Sequence, residues 1–304
     1  MHKRAKRFQS KNVKRPGRNL NPSPELDRLS DKEKIVVNES TLHTYLSLCE
    51  IEGLCGEWLA TITRFLRNYL KHIDWTITQK NTIIYLKKIL RASSISYYRK
   101  QAYQIRKFLT YLKIDWADAI RLPAEVEQRP KHLCKDDIDN TLRFFSKHPY
   151  NKQIKAIILL GATSGMRAEE LYQLRLRDID VENRIVRINH DPSNGQTTKT
   201  KKCRISFINE DAKNAILDYI DYFENSNNLK SLFSKSHIKN LFKDGPIKVK
   251  DLRKYFSQEW DRRGGPTSIK KILMGHSLRN DVDLMHYNAQ SEEDLKKIYD
   301  KVMF

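Results

Sequence analysis

Between residues 98 and 112 apolar side chains return every three or four positions, at Tyr98, Ala102, Ile105, Leu109 and Leu112, and this spacing predicts an amphipathic helix. Three more stripes precede it: Leu42, Tyr45, Leu46 and Cys49, stopped by Gly53; then Trp58, Ile62, Phe65, Leu66 and Tyr69; then Ile83, Leu86, Ile89 and Leu90. Four short amphipathic helices in succession bury their stripes most readily against one another. They predict a four-helix bundle over residues 35–120.

Past this bundle the texture changes. Residues 121–131, RLPAEVEQRPK, read as an extended charged linker with a proline near each end. Helical patterns return at Ile138–Phe145 and Ile154–Leu160. RIVRINH (184–190) and RISFI (204–208) are strand-like and flank the turn-rich SNGQTTKTKK. Further helices are expected near 211–223, 236–242, 248–262 and 267–274. The fold class predicted is mainly α with a small β-sheet: a helical domain, then an α+β domain over 132–304 ending in a tail helix.

Charge says what such a chain meets. Lys and Arg outnumber Asp and Glu by 57 to 37, a net charge of +20, and residues 1–18 alone hold eight basic residues and no acid. This excess repels itself unless a polyanion neutralises it, so double-stranded DNA is the natural partner. Residues 1–34 read as a basic arm. No apolar stretch is long enough for a membrane span, and nothing apolar follows the basic N-terminus as in a signal peptide. Cys49, Cys55, Cys134 and Cys203 are scattered without zinc spacing, so neither a metal nor a disulfide is expected and the chain reads as cytoplasmic.

Four segments carry chemistry, each with an ordinary alternative. In GATSGMRAEELYQL (161–174) a glycine turn feeds a helix that opens at Arg167; free N–H groups and a forked guanidinium suit a phosphate, and Glu170 one turn on can hold the arginine. An arginine beside a helix cap has the same pattern. In the TTKTKK turn a lysine can protonate a leaving oxygen, with Lys199, Lys201 and Lys202 competing, or the turn is simply basic and exposed. In KVKDLRKYF, Lys250 and Arg253 share a helical face and can grip one phosphate, though this is also a common surface pattern. In ILMGHSLRNDVDLMHY, His276 follows a glycine and Tyr287 comes eleven residues later; either can equally be a cap or half-buried packing.

The order of these elements resembles the tyrosine recombinase (phage integrase) family, over roughly residues 35–300. TSGMRAEELYQLRLRDID is the most specific piece, and LMGH with its following tyrosine is next. The resemblance implies a core-binding domain in the helical bundle and a catalytic domain after it. It implies Arg167 and Arg253 on the scissile phosphate, Glu170 supporting the first arginine, Lys199 as the hairpin lysine, His276 as the histidine of the second box and Tyr287 as the nucleophile. Lys250 stands where most of the family has histidine, a form similar to integrases of archaeal viruses and plasmids. The interval from His276 to Tyr287 is also longer than the family's usual spacing.

The same resemblance implies cleavage through a 3′-phosphotyrosyl link without metal, cofactor or ATP. It implies a homotetramer on DNA in a prokaryotic cell, associated with its nucleoid. Arg64, Arg67, Lys87, Arg99 and Lys100 among the helical stripes, with Lys201 and Lys202, are the expected DNA contacts. Leu295, Ile298 and Val302 mark one side of the tail helix, which packs either on its own domain or on a neighbouring protomer. A Xer-like dimer resolvase, a type IB topoisomerase and a non-catalytic DNA-binding protein are the alternatives.

Overall fold

The computed structural model describes residues 34–125, 129–223, 231–276 and 290–303, which fall into two compact units dividing at Arg129 and Pro130. The first unit holds the four expected helices: α1 (Glu39–Ile51), α2 (Gly56–His72), α3 (Gln79–Ala92) and α4 (Ile95–Tyr111). A two-residue antiparallel pair, β1 (Ile35–Val36) with β2 (Thr76–Ile77), ties the entry of α1 to the turn after α2. Local chemistry sets three of the helix starts. The side chains of Asn38, Thr78 and Ser94 accept from the backbone N–H of Thr41, Asn81 and Tyr97, as N-caps do.

Three of the four stripes point inward as their spacing requires; Leu42, Ile62, Leu66, Tyr69, Ala102, Ile105 and Leu109 are fully or almost fully buried. The third is rotated. Leu90 is 39% exposed, and beside the expected Leu86 α3 buries Thr82 and Tyr85. The cause is a pair of buried hydrogen bonds that make polar atoms acceptable inside: Thr82 Oγ1 lies 2.7 Å from the Tyr69 hydroxyl, and Gln101 Nε2 donates to the Tyr85 hydroxyl at 2.6 Å. Both ends of the expected linker are tied down. Leu122 packs on the bundle core and Arg99 donates to the Pro123 carbonyl, while the Lys131 carbonyl accepts from Gln258 Nε2 at 2.8 Å.

The second unit comprises α5 (Lys135–Phe144), α6 (Asn151–Ser164), α7 (Ala168–Gln173), β3 (Ile179–Asp180), β4 (Ile185–Ile188), β5 (Arg204–Phe207), α8 (Glu210–Phe223), α9 (Lys235–Leu241), α10 (Val249–Arg262), α11 (Thr267–Met274) and α12 (Glu292–Met303). The three strands form one antiparallel sheet in sequence order, with Val186 opposite Ser206 and Ile185 opposite Phe207. Helix α6 is buried on nearly every side and packs between α8 and α10.

The contact of α6 with α10 is keyed by two glycines four residues apart. A Cβ at Gly161 would lie 2.7 Å from Leu252 Cδ1, and one at Gly165 would lie 2.5 Å from Phe256 Cδ1. Leu252 and Phe256 are also four apart, so two projections of α10 enter two notches of α6 and the turn that ends it.

The tail helix α12 packs on its own domain. Leu295, Tyr299, Val302 and Met303 are buried in a cluster with Phe207, Phe256 and Trp260, while Ile298 is only partly covered. Tyr299 donates its hydroxyl to the Thr163 carbonyl at 3.0 Å, and Asp300 pairs with the Arg184 guanidinium at 2.9 Å.

Candidate active site

Two helix ends and one strand build the site. Helix α6 stops at Gly165, whose φ of 65° lies in the left-handed region that favours glycine, and Arg167 then caps α7. The Arg167 backbone N–H donates to Glu170 Oε2 at 2.7 Å and its Nη1 donates to Oε1 at 2.9 Å. The same carboxylate therefore fixes both the main chain and the head of Arg167. Arg253, on α10, donates from Nη1 to the Gly165 carbonyl at 2.7 Å. It comes from another part of the chain to the turn that presents Arg167.

The other helix end closes α11. Gly275 has φ 64°, and the backbone N–H groups of Gly275 and His276 return to the carbonyls of Ile272 and Lys271, a left-handed terminus that delivers His276. The Gly275 carbonyl accepts from Arg167 Nη2 at 3.1 Å. Arg167 thus bridges the two turns.

Arg204, at the start of β5, completes the group, and the residue patterns gave no reason to single it out. Its Nη1 and Nη2 reach Glu170 Oε1 and Oε2 at 3.1 and 2.6 Å, and its Nε donates to the Leu273 carbonyl at 2.9 Å. Glu170 accepts four hydrogen bonds with its side chain 2% exposed. The chain offered no more than an arginine opening the strand-like segment RISFI.

Two guanidinium groups, of Arg167 and Arg204, bond the Glu170 carboxylate, with Arg253 on the adjoining turn, and the titration of Glu170, Arg253 and His276 reflects this crowding of charge. Burial by itself would raise the Glu170 pKa, but the hydrogen bond and charge of Arg204, then the backbone and side-chain hydrogen bonds of Arg167, outweigh it and hold the carboxyl below its usual range. Burial, reinforced by the charge of Arg167, brings Arg253 down to about 10. His276 is held below the ordinary histidine value by partial burial and then by Arg253, Arg167, Lys270 and Arg204. Positive charge exceeds negative here, and the ready way to relieve it is a bound anion.

The remaining candidates are placed less closely. Lys199 is exposed on the loop between β4 and β5, in a tight turn latched by the Thr198 hydroxyl, which donates to the Lys202 carbonyl at 3.0 Å and accepts its N–H at 3.1 Å. Thr198 N–H in turn donates to His190 Nδ1 at 3.1 Å. The loop is more structured than a simple turn, with a bridge between Asp191 and Gln196 and a helical turn at Pro192–Asn194. Lys250 is exposed one turn before Arg253 on α10. Neither lysine, nor Lys201, nor the Lys202 side chain forms a hydrogen bond or ion pair with the arginine cluster among the described residues. Tyr287 lies outside the described residues, as does the basic arm through residue 33. Tyr255 and Tyr299 are both buried; burial pushes the Tyr255 hydroxyl up to about 12 and that of Tyr299 higher still.

In the helical unit Arg64, Lys87 and Lys100 are exposed, Arg64 lying 5.9 Å above the Phe65 ring. Arg67 pairs with Glu39 at 3.1 Å, both half-exposed, and Arg99 is engaged with Pro123. No group of three or more His, Cys, Asp or Glu that could hold a metal ion occurs among the described residues. Nor is any helix among them long and apolar enough to cross a membrane.

Residues 131–295, more than half of the chain, match the model of the phage integrase family. The tyrosine recombinase XerC of Actinobacillus succinogenes is 29% identical over 122 residues, which span 38% of this chain and 39% of that protein. XerA of Pyrococcus furiosus is 22% identical over 257 residues, covering 83% of this chain and 85% of its own. Among solved structures, a lambda integrase (75–356) dimer bound to a COC′ core site superposes with a TM-score of 0.63 at 12% identity, covering 84% of this chain and 96% of that one. The Tn1549 transposon integrase in complex with a circular intermediate DNA gives 0.56 at 15% identity, with 84% and 98% covered. At those identities the likeness is one of fold.

Proposed function

The chain belongs to the phage integrase family, and from that premise we propose that it is a site-specific recombinase that cuts and rejoins duplex DNA through a phosphotyrosine at Tyr287. The observation that carries this reading is the arginine cluster: Arg167 and Arg253 are fastened to one turn beside His276, with more positive charge than Glu170 cancels. A diester phosphate fits such a site, since its two non-bridging oxygens take guanidinium donors and gain charge in the transition state.

In the first step the Tyr287 hydroxyl oxygen attacks phosphorus, its proton passing to solvent, and the bond from phosphorus to the 5′-oxygen breaks. Lys199 gives a proton to that leaving oxygen, and the DNA 3′-phosphate stays on tyrosine. Attack by a new 5′-hydroxyl reverses these steps and releases Tyr287. The covalent link keeps the energy of the phosphodiester, so no nucleotide is consumed. Glu170 orients Arg167, and His276 donates to a phosphate oxygen. The helical unit, through Arg64, Arg67, Lys87, Arg99 and Lys100, and the loop lysines Lys201 and Lys202 hold the backbone of the duplex. Exchange between two duplexes requires four strand cuts, which matches a homotetramer with one tyrosine per protomer.

The cellular role proposed is integration or excision of a mobile element, which the Lys250-x-x-Arg253 form supports. The alignment with XerA over most of the chain favours a second reading, resolution of chromosome or plasmid dimers. Covalent trapping on a fragment library of host and element DNA separates them, since the trapped fragment names the site. Wild type should form a protein–DNA adduct resistant to denaturant. Tyr287→Phe should bind the same DNA and form none. Relaxation of supercoils without recombinant products would support a topoisomerase, and absence of any adduct a DNA-binding role alone.

A further inference from the structure

We propose that Arg204 is a positioning residue for the cleavage reaction: it neutralises Glu170 and braces the Gly275–His276 turn, so that Arg167 keeps its charge for the phosphate. The inference rests on the catalytic reading above and adds to it a residue that touches no DNA.

Geometry sets out the role. An isolated Arg167–Glu170 pair would be close to neutral, and a buried carboxylate so near would compete with the phosphate for the same guanidinium. Arg204 changes the balance. It forks onto both oxygens of Glu170, at 3.1 and 2.6 Å, from a side chain 8% exposed, while Arg167 meets the carboxylate through a single Nη. The better-buried, two-pronged partner is therefore the counter-ion of Glu170, and Arg167 is held in place without being cancelled.

A second contact reaches the histidine. Arg204 Nε fixes the Leu273 carbonyl, and its side chain lies directly under the next turn: a Cβ at Gly275 would be 2.7 Å from Arg204 Cδ and 2.8 Å from Nε. Gly275 in turn presents its carbonyl to Arg167 and its neighbour His276 to the site. One side chain thus sets the position of two groups aimed at the phosphate. Three of its five N–H donors are taken by Glu170 and Leu273, and Gly275 lies against its Cδ and Nε.

The test compares wild type, Arg204→Gln, Glu170→Gln and the double variant as full-length protein on the duplex that trapping returns. DNA affinity, single-turnover cleavage and thermal stability are followed together. Arg204→Gln should bind DNA close to wild type and cleave about 10²-fold more slowly, the scale of a misplaced catalytic group. Adding Glu170→Gln to it should cost less than the same change costs in wild type, because the uncompensated carboxylate that neutralised Arg167 is removed. Millimolar guanidinium ion should accelerate Arg204→Gln and leave wild type unchanged. Arg204→Lys, which keeps the charge and loses the fork, takes the place of the glutamine variant should that one not fold, and should fall between it and wild type.

Additive losses in the double variant would mean that Arg204 acts on DNA directly, and would overturn the proposal. So would cleavage that falls only in step with the folded fraction, or cleavage at the wild-type rate. A wild type that forms no adduct at all defeats the recombinase reading itself and this one with it, a result distinct from active wild type with the wrong pattern of variants.

Discussion

Arg253 Nη1 lies 2.7 Å from the carbonyl oxygen of Gly165, 88 residues earlier in the chain. Gly165 is also the turn from which the backbone passes to Arg167, so both arginines of the proposed phosphate site are referred to one peptide unit. Their spacing depends on that turn's geometry more than on either side chain's rotamer.

Gly165→Ala should therefore be severe. The left-handed φ alone costs about 1–3 kcal/mol for a residue with a Cβ, and that Cβ would meet Phe256 at 2.5 Å. Gly195→Ala is the control, because Gly195 has φ 74° and nothing within 4 Å of where the added methyl would sit. Urea unfolding of both variants should give a clearly larger loss at 165. Equal losses would mean that Phe256 can move aside and that the close approach is inconsequential.

DNA binding should take up a proton through His276. In the free protein, burial and the neighbouring cations hold its pKa below the ordinary value. A phosphate beside it favours the charged form and raises that pKa, so affinity should increase as pH falls from about 7.5 to about 5.5. The free protein runs the opposite way: a depressed folded pKa contributes stability above the unfolded value that is lost as pH falls through the folded one. Calorimetry in two buffers of different ionisation enthalpy reads the proton directly. His276→Gln should abolish most of the uptake; unchanged uptake would assign it elsewhere.

Lys199→Ala should slow cleavage by roughly 10²–10⁴-fold on ordinary DNA, the usual range for a lost general acid. Sulfur at the scissile 5′-bridging position should restore the rate, since a thiolate leaves without a proton. Arg167→Ala should gain much less from sulfur, because its work is on the non-bridging oxygens. Parallel Lys201→Ala and Lys202→Ala variants identify the donor within the loop. If sulfur rescues no lysine variant, Lys250 becomes the next candidate.

Tyr299→Phe should lower stability by about 1–3 kcal/mol, the cost of leaving the Thr163 carbonyl buried without its donor. It should still form the covalent adduct, because the Tyr299 hydroxyl is buried and engaged. An adduct-free but stable Tyr299→Phe would move the nucleophile from Tyr287 to this helix.

Much of this was readable in the chain. Three apolar stripes of the helical unit bury as their spacing demands, and the α6–α7 turn, the β4–β5 loop and the α10 and α11 ends fall where the residue patterns put them. The third stripe was legible only in part, because Thr82 and Tyr85 go inside on the strength of hydrogen bonds that hydrophobicity does not register. Strands of two residues, at 35–36, 76–77 and 179–180, are too short to carry a period. Arg204 escaped notice for a related reason: its partners are 34 and 69 residues away, and a strand pattern says nothing about what lies beyond its own sheet. The tail helix showed its apolar side in the chain, but which surface receives it depends on Phe207, Phe256 and Trp260 meeting in space.

The notched contact between α6 and α10 has a mechanical consequence. Leu252 and Phe256 occupy the hollows at Gly161 and Gly165, so α10 cannot slide along α6 by small amounts without driving carbon into backbone. Its permitted displacements resemble those of a ratchet, in which the next seating is a whole helical turn, about 5.4 Å, away. A shift of that size would carry Arg253 off the Gly165 carbonyl altogether. The separation of the two arginines is therefore tied to the seating of α10 on α6, and a change of register there would disengage one from the other.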